Sequence, residues 1–431
     1  MASERLGIAI PYGSSSLEAE VPGARVLFSG EFEELPAIDD FEGILLARLE
    51  QPTAGRPLRE IGEGRAKALV LVEDNTRQTP VDRILPVLFD YLNEISLTDD
   101  DIEILTASGT HRLMTEEELL AKVGPDAYCR VGITQHDCRD LDSIIDQGSV
   151  RAGSSLIPIQ INRKILDADL IIGLGSIFPH SDAGFTGGAK IVQPGVCGTT
   201  TTAATHIAAA LLDEIPLGDA DNPCRLGMEE VARKVGLDFI VNAVQDHRGR
   251  ILEIVAGDFV AAHRRGAEVS RRAHGVTIPE PADVVIVGSY PGDIDWWQAE
   301  KCLVAAYFAV KRDGFIVFAG PCYEGLVHNH PRLRDWLRLS YDEARIKASA
   351  IDPADAEADL IAADVAIANA RIREKATILM VTEGISDADV ALLGYRRMPD
   401  LQAAVDHALE RAPGGSLGVL PYGGICLPIR V

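Results

Sequence analysis

The sequence predicts an α/β fold of two domains, with mostly parallel sheets flanked by helices and an active site in the cleft between the domains. Short apolar runs alternate with helical patterns along the 431 residues, which is typical of α/β layers. Many of these runs are apolar at every position, which indicates strands that are covered on both faces. A chain of this length is also expected to form more than one domain.

The apolar runs and the helical patterns give the predicted elements. Strands are predicted at 6–10, 24–28, 68–73, 101–107, 168–173, 239–243, 284–288, 315–319, 377–381 and 417–420. Helices are predicted at 80–94, 115–123, 199–212, 224–235, 260–273, 299–311, 354–370 and 401–411.

The best candidate for a domain boundary is the segment 274–282, which contains Pro279 and Pro281 and is typical of a linker or hinge. We therefore predict an N-terminal cofactor-binding domain over 1–276 and a C-terminal domain over 280–412. The tail 413–431 is expected to cross back and complete the first domain. Ligands of open α/β sheets bind beyond the carboxyl ends of the strands, so polar residues that follow strands are the candidates for a site.

Charge and cysteine content narrow the possible partners and the compartment. The formal net charge of −24 argues against binding to nucleic acid, although a local cluster of Arg and Lys could still hold a small anion. The seven cysteines form no CxxC pair, which favours a reducing compartment. The N-terminus has no signal-peptide pattern, and no apolar run approaches the roughly 20 residues of a membrane span. We therefore expect a cytoplasmic protein that is not bound to membranes.

Two polar segments follow predicted strands in the first third of the chain. In the first segment, the Arg77 guanidinium could bind a carboxylate through two parallel hydrogen bonds, and Asp74 could orient a histidine or a substrate hydroxyl. The alternative is that the segment is only a turn with a helix N-cap. In the second segment, His111 suits proton transfer near neutral pH; the alternative is a loop histidine bonded to backbone. Thr115 and Glu118 fit a capping box for the next helix.

A glycine-rich segment over 173–206 is the most informative part of the chain. It contains Gly184-Phe185-Thr186-Gly187-Gly188-Ala189-Lys190, in which glycines allow close approach of a ligand and Lys190 supplies a cation. The spacing is not that of a P-loop. His180 and His206 lie on either side, and two histidines with a lysine suit a metal or a covalently held cofactor. The alternative is a structural loop with core histidines.

The last polar segment opens a helix after the strand at 284–288. Gln298 and Lys301 share one helix face, and the lysine could polarise a ketone or pair with a carboxylate. The alternative is a solvated face above a packed tryptophan.

Together these segments resemble the lactate racemase family, the nickel-pincer enzymes that act on 2-hydroxy acids. The similarity extends from the first strand to Pro421-Tyr422-Gly423-Gly424. Its most specific part is Pro179-His180, the run from Gly184 to Lys190, Pro194-Gly195 and His206, in which His180 precedes Lys190 by ten residues and His206 follows it by sixteen.

The resemblance implies a cofactor and a role for each site residue. Lys190 would be joined through a thioamide to a pyridinium mononucleotide with two sulfur arms, bound by Gly184, Phe185, Thr186, Gly187 and Gly188. Nickel would be held by the two sulfurs, a ring carbon and His206. His111 and His180 would be the acid/base pair and Lys301 a third catalytic residue, with Asp74, Arg77, Trp297 and Gln298 binding the substrate. Cofactor maturation enzymes would be partners.

The implied reaction is racemisation or epimerisation of a small 2-hydroxy acid. Moving the α-hydrogen as a hydride avoids a carbanion next to a carboxylate, and two histidines serve the two positions of the hydroxyl oxygen. Gln78 stands where the family often has Pro, and Trp297 stands where Tyr is common. These changes lie near the substrate side and leave the cofactor residues intact, so a larger or different 2-hydroxy acid is an alternative to lactate.

Three other functions are compatible with parts of the pattern. A nicotinamide-dependent oxidoreductase lacks support, because no G-x-G-x-x-G opens a helix with an acidic residue about 20 positions later. A non-catalytic protein that binds a small acid or a nucleotide would need Arg77 and the glycine-rich loop but not both His111 and His180. A hydrolytic zinc enzyme would be expected to have closer histidines, as in H-E-x-x-H.

Overall fold

The computed structural model describes residues 5–153 and 155–431. Its strands are β1 (Arg5–Tyr12), β2 (Ser15–Pro22), β3 (Val26–Ser29), β4 (Ala68–Glu73), β5 (Ile102–Ala107), β6 (Gly132–Gln135), β7 (Ile144–Ala152), β8 (Ser155–Asn162), β9 (Leu170–Ser176), β10 (Pro179–His180), β11 (Gly184–Phe185), β12 (Phe239–Gln245), β13 (Ile251–Gly257), β14 (Gly275–Ile278), β15 (Ala282–Gly288), β16 (Val310–Ala319), β17 (Ala376–Val381), β18 (Arg396–Arg397), β19 (Leu417–Leu420) and β20 (Leu427–Arg430).

The helices are α1 (Phe41–Glu50), α2 (Leu58–Gly62), α3 (Val81–Glu94), α4 (Glu116–Val123), α5 (Pro125–Arg130), α6 (Thr199–Ala210), α7 (Pro223–Val235), α8 (Ala261–His274), α9 (Trp296–Ala299), α10 (Lys301–Ala309), α11 (Leu333–Trp336), α12 (Tyr341–Ser349), α13 (Leu360–Lys375), α14 (Asp387–Leu392) and α15 (Leu401–Arg411). In this part of the chain, no helix combines the length and the apolar character that a membrane crossing requires.

The first large sheet has six strands in the order β13-β12-β9-β4-β5-β6. All its pairings are parallel except that between β12 and β13. Successive residues of β4 belong to different apolar clusters: Leu69 and Leu71 pack on one side, and Val70 and Val72 pack on the other. The sheet is therefore covered on both faces, as its apolar runs predict.

The second large sheet has six strands in the order β18-β17-β16-β15-β19-β3, and all of them are parallel. Its central strand β15 is built in the same way, with Val285 and Val287 in one apolar cluster and Val284 and Ile286 in another. The two sheets with their helices confirm the predicted α/β class.

The two strands of the tail, which we expected to complete the first domain, do not join the first large sheet. β19 lies in the second sheet between β15 and β3, and β20 pairs with β14 outside both large sheets. Leu417 and Val419 belong to the same apolar cluster as Val284 and Ile286, and burial in that cluster fixes β19 there. At the edge of the second sheet, β19 pairs with β3, which comes from the N-terminal part of the chain. The proposed domain limits themselves stay a prediction.

Candidate active site

Most of the predicted site residues line a cleft between the two halves of the molecule. It lies at the carboxyl ends of β4, β5 and β9, facing α10 and α13. Nine of the predicted residues line it: Asp74, Arg77, His111, His180, Thr186, Lys190, His206, Trp297 and Lys301.

Asp74 and His111 form a hydrogen-bonded pair at the ends of neighbouring strands. His111 Nδ1 lies 2.6 Å from Asp74 Oδ2, and Gln298 Nε2 donates to His111 Nε2 over 3.1 Å. These partners assign the proton to Nδ1 and leave a lone pair on Nε2. Burial alone would raise the pKa of Asp74, but the charge and hydrogen bond of His111 and the charge of Arg77 outweigh it and hold that pKa well below its ordinary value. His111 is therefore arranged as a base.

Two cations converge on one oxygen at this end of the cleft. Lys301 Nζ donates to Gln298 Oε1 at 2.5 Å, and Arg77 Nη1 donates to the same oxygen at 3.3 Å. The Arg77 guanidinium also stacks over the Phe178 ring at 5.6 Å. Burial and the nearby Arg77 charge lower the pKa of Lys301. Two cations that share one neutral amide oxygen form a ready site for an anion such as a carboxylate.

His180 has the opposite hydrogen-bonding arrangement to His111. Its Nδ1 accepts the backbone N–H of Asp182 at 3.2 Å, so the neutral ring carries its proton on Nε2. Burial, together with the charges of Lys190 and Lys301, lowers the pKa of His180 well below its ordinary value. His180 is therefore neutral and arranged as a hydrogen-bond donor at Nε2.

Lys190 lies in a short 3₁₀ helix, Gly188–Ile191, at the wall of the cleft. Burial, followed by the Arg77 charge, lowers the pKa of this amine to about 8. A fraction of the amine is therefore uncharged near neutral pH and able to act as a nucleophile toward an acyl or thioacyl group.

The loop before Lys190 is held by three buried side chains that the sequence analysis did not single out. The Arg225 guanidinium donates to the carbonyls of Ala183, Phe185 and Gly187. Asn242 Oδ1 accepts the Gly188 N–H at 2.8 Å. His263 Nε2 donates to the Thr186 carbonyl at 2.9 Å. Arg225, Asn242 and His263 lie inside the predicted elements 224–235, 239–243 and 260–273, where no motif marks them.

The glycines of the loop are explained by packing. A Cβ on Gly184 would lie 1.8 Å from the Asp219 carbonyl oxygen, and one on Gly187 would lie 2.8 Å from Asn242 Oδ1. A Cβ on Gly188 would meet the His263 ring at 2.9 Å. Phe185 is buried in the apolar cluster behind the cleft. Of the five loop residues assigned to the cofactor, Thr186 is the one that lines the cleft, and the roles of the others stay predictions.

His206 fits the role of a metal ligand. Its Nδ1 donates to the Thr202 carbonyl at 2.9 Å, a contact that leaves the Nε2 lone pair free and fixes the ring. Burial lowers the pKa of His206 to about 4, so the ring is in its neutral, ligating form. One donor atom each of Asp182, His206 and Asp364 lies within 4.8 Å of the others. The free imidazole nitrogen and the nucleophilic Lys190 amine suit a metal-containing group tethered at this wall.

The cleft also contains carboxyl groups that the sequence analysis missed. Glu300 and Asp364 are each 4% exposed and both line the cleft. Burial raises the pKa of Glu300 to about 8. Glu300 stands between the predicted residues Gln298 and Lys301 in the sequence, but Asp364 lies in an alanine-rich helix with no motif around it.

Trp297 and Gln298 reach the site from the second half of the chain. The Trp297 ring stacks on His330 at 4.2 Å between centroids, with 3° between the ring planes. His330 Nε2 in turn lies 3.2 Å from Thr110 Oγ1, next to His111. Trp297 is therefore packed beside the cleft and ties the two halves together, while Gln298 touches His111, Arg77 and Lys301 directly.

Comparison with known proteins places this site in a family. Residues 12–215 match the family model of the lactate racemase N-terminal domain, and residues 278–423 match that of the lactate racemase C-terminal domain. A lactate racemase from Thermoanaerobacterium thermosaccharolyticum is 30% identical over 341 residues, which are 78% of each chain. One from Lactiplantibacillus plantarum is 33% identical over 290 residues, which are 65% of this chain and 67% of the relative.

Solved structures agree with the sequence matches. The lactate racemase apoprotein from Thermoanaerobacterium thermosaccharolyticum superposes with a TM-score of 0.87 at 28% identity, covering 98% of this chain and all of the other. A protein from Thermotoga maritima shares the fold, with a TM-score of 0.71 at 22% identity over 92% of this chain and all of the other. The chain therefore belongs to the lactate racemase family and is an isomerase.

Proposed function

We propose that this enzyme inverts the configuration at C2 of a 2-hydroxy carboxylate, lactate or a close relative, using a nickel-pincer nucleotide joined to Lys190. The observation that carries the proposal is the pair His111 and His180, which line one cleft in opposite hydrogen-bonding states. Inversion moves the hydroxyl oxygen from one side of C2 to the other, so it needs a proton acceptor and a proton donor at two positions.

The substrate carboxylate would be held by Arg77 and Lys301. In the structure both cations share Gln298 Oε1, and an incoming carboxylate would offer each of them a full negative charge instead. Gln298 would then be free to bond the substrate or His111. Holding the carboxylate fixed leaves C2 as the part of the molecule that turns.

His111 Nε2 would take the hydroxyl proton on one side of the substrate, and Asp74 would stabilise the resulting imidazolium through Nδ1. On the other side, His180 Nε2–H would donate a hydrogen bond to the oxygen in its new position, and the proton held by His111 would return to that oxygen when the new configuration forms. When bound, the nickel-pincer group would supply the remaining chemistry, taking the hydrogen from C2 with its electron pair and giving it back.

Lys190 and His206 are the residues that would hold this group, the first through its amine and the second through Nε2. Assembly of such a cofactor would require nickel and dedicated maturation enzymes as partners. We also place the protein in the cytoplasm, because all seven cysteines are free thiols, as is usual in a reducing compartment.

The test is a chiral assay of lactate with enzyme produced alongside the maturation enzymes. Either enantiomer should be converted to the racemate, and deuterium at C2 should be retained in the inverted product made in ordinary water. His111→Gln and His180→Gln should each lower kcat by about 10²-fold or more. Free exchange of the C2 deuterium with water would contradict the proposed route.

The tether is tested separately by mass spectrometry. A peptide that contains Lys190 should carry a cofactor-sized adduct in the active enzyme, and nickel should be present in the same preparation. Lys190→Arg keeps the positive charge but should remove both the adduct and the activity. An active enzyme with an unmodified Lys190 would exclude the tether.

A further inference from the structure

A buried lysine contacts the turn that carries Arg77. Lys122 lies in the last turn of α4, and only 9% of the residue is exposed. Its Nζ donates to the Arg77 carbonyl at 2.8 Å and to the Thr79 carbonyl at 3.4 Å. The reaction proposed above gives this amine no part, and no motif marked it in the sequence.

The Lys122 amine is buried without an ion pair. Within residues 5–153 and 155–431, it donates to these two carbonyls and to no carboxylate. A buried cation costs free energy unless it is paired, and a neutral amide could donate to the carbonyls without that cost. Burial lowers the pKa of Lys122, and the charges of Glu73 and Asp74 oppose this decrease. The amine therefore acts on its surroundings through its charge as well as through its hydrogen bonds.

Two cations and two carboxyl groups are grouped at this turn. Burial raises the pKa of Glu73, and the charges of Lys122 and Arg77 oppose that rise. Asp74 is anionic, since its pKa is held well below its ordinary value. With Lys122 present, two positive charges face two carboxyl groups. Without it, the Arg77 guanidinium alone would face both of them, and the local excess of negative charge would repel an incoming anion.

The same helix contacts the turn at a second point. Glu118 lies one helical turn before Lys122 on the same face of α4, and its Oε1 accepts from Asn75 Nδ2 at 2.9 Å. The helix begins at Glu116, directly after the loop that carries His111. It therefore fixes the Arg77 turn relative to the histidine that would act as the base.

We propose that Lys122 is a positioning residue for the substrate carboxylate and that it acts through Arg77. It holds the Arg77 carbonyl and offsets the charges of Glu73 and Asp74, so that the guanidinium is available to an anion. This inference rests on the proposed function, in which Arg77 and Lys301 bind the carboxylate. Because the carboxylate is held in the ground state and in the transition state alike, loss of Lys122 should raise KM and change kcat little.

The test compares lactate with lactamide, which has nearly the same shape but no negative charge. In cofactor-loaded enzyme, Lys122→Met should weaken calorimetric binding of lactate about tenfold and leave binding of lactamide within about twofold. KM for lactate should rise by the same factor as the loss of affinity. Lys122→Gln keeps a donor without the charge and should change binding in the same direction, so the test does not depend on the folding of one variant.

Lys164→Met is the matched control for Lys122→Met. The Lys164 amine pairs with Glu103 at 2.7 Å, at the amino end of β5 and so at the edge of the sheet opposite to the cleft. Its replacement should leave the affinities for lactate and lactamide unchanged. Equal losses of lactate and lactamide binding in Lys122→Met would show a general structural effect and would overturn the inference.

A double-mutant cycle tests whether Lys122 acts through Arg77. Arg77→Met alone should weaken lactate binding strongly, and adding Lys122→Met should then weaken it by less than about twofold. A further loss as large as the one that Lys122→Met causes in the unaltered enzyme would show that the lysine acts independently of Arg77.

The binding data separate this inference from the proposed function. If the unaltered enzyme binds lactate but does not invert it, the proposed function is wrong, and the affinities of the variants still decide the role of Lys122. If the unaltered enzyme binds lactate no better than lactamide, the inference is wrong, whereas inversion of lactate would leave the proposed function intact.

Discussion

Asp74 Oδ2 lies 2.6 Å from His111 Nδ1, although the two residues are separated by 37 positions in the chain. Asp74 directly follows β4, and His111 lies in the loop that follows β5. The two strands are parallel neighbours in register, so their carboxyl ends bring the two side chains to the same edge of the sheet. The pair resembles the carboxylate–histidine arrangement that fixes the tautomer of a catalytic base.

Asp74→Asn should test this pairing. The amide keeps the shape of the carboxylate, but its NH₂ group would donate to His111 Nδ1, so the ring proton would move to Nε2. Nε2 is the atom that must accept the hydroxyl proton of the substrate. We expect kcat for lactate racemisation to fall by roughly 10³–10⁴-fold, as when such a carboxylate is replaced in a catalytic triad. The measurement is the initial rate of chiral inversion.

The control for Asp74→Asn is the cofactor content. Nickel and the Lys190 adduct should be present at the level of the unaltered enzyme, because the hydrogen bonds of Asp74 go to Thr76 and His111. A variant that keeps normal kcat would show that Asp74 does not set the state of His111.

Arg225→Met should release the loop that positions Lys190. The arginine is fully buried and donates to three loop carbonyls, which the methionine would leave unpaired. We expect a loss of about 2–4 kcal/mol in the free energy of unfolding and a lower fraction of Lys190 with an adduct. Urea unfolding and peptide mass spectrometry measure the two effects.

Arg233→Met is the matched control for Arg225→Met. Arg233 lies on the same helix, α7, but its side chain is 52% exposed, pairs with Glu230 and lies over the Phe259 ring at 5.8 Å. Its replacement should change stability by less than about 1 kcal/mol and leave the adduct intact. Equal effects of the two variants would show that Arg225 stabilises the loop no more than an exposed arginine on the same helix does.

The sequence alone predicted the fold class and most of the residues that line the cleft. Both predictions depend on patterns within single strands and on the residues that follow them. Strands such as β4 and β19 are continuous apolar runs, and the predicted limits 68–73 and 417–420 coincide with the observed ones. The capping box of Thr115 and Glu118 is also confirmed, because it depends on contacts within four residues. Polar residues that follow such strands meet at one edge of the sheet by geometry alone.

Contacts between distant segments could not be predicted in the same way. The hairpin of β7 and β8 alternates polar and apolar residues around a turn, and no strand was assigned to it. Asp364 has no signal in an alanine-rich helix, since its position in the cleft depends on how α13 packs against α6. The placement of β19 in the second sheet likewise follows from packing of Leu417 and Val419, which sequence patterns do not specify.

Stability should fall in mild acid because buried neutral histidines must take up protons. Burial lowers the pKa of several of them below the ordinary value, among them His136, His180, His263 and His274. A group whose pKa is lower in the folded state favours folding above its unfolded pKa, and that contribution is lost as the pH falls. For His136, whose folded pKa is about 4, the loss between pH 6.5 and pH 4 approaches about 3 kcal/mol.

His136→Gln isolates one of these groups. The His136 Nε2–H donates to the Cys197 carbonyl at 3.0 Å, and a glutamine amide can donate there without titrating. Between pH 6.5 and 4, the free energy of unfolding of the variant should decrease less steeply with falling pH. The difference in slope should correspond to the uptake of close to one proton. Urea titrations at a series of pH values give the slope, and an unchanged slope would contradict the assignment.

The ion pair between Arg112 and Glu324 should hold the cleft closed. Arg112 lies in the loop after β5, and Glu324 lies after β16; their Nη2 and Oε1 atoms are 2.8 Å apart. Both side chains are about 30% exposed, so the pair is expected to contribute less than about 1 kcal/mol to the free energy of unfolding. Its effect should appear mainly in substrate binding, since it joins the two walls of the site.

Glu324→Gln should therefore raise KM by about threefold to tenfold and change kcat less, because a more open cleft holds the substrate carboxylate less well. Arg112→Met and the double variant complete a cycle: if the two side chains act together, the effects on KM should be clearly less than additive. Higher ionic strength should raise KM of the unaltered enzyme more than KM of Glu324→Gln, because salt screens exposed pairs. Additive effects with equal salt dependence would show that the two residues act separately, and that closure depends on the contacts of Trp297 and His330 instead.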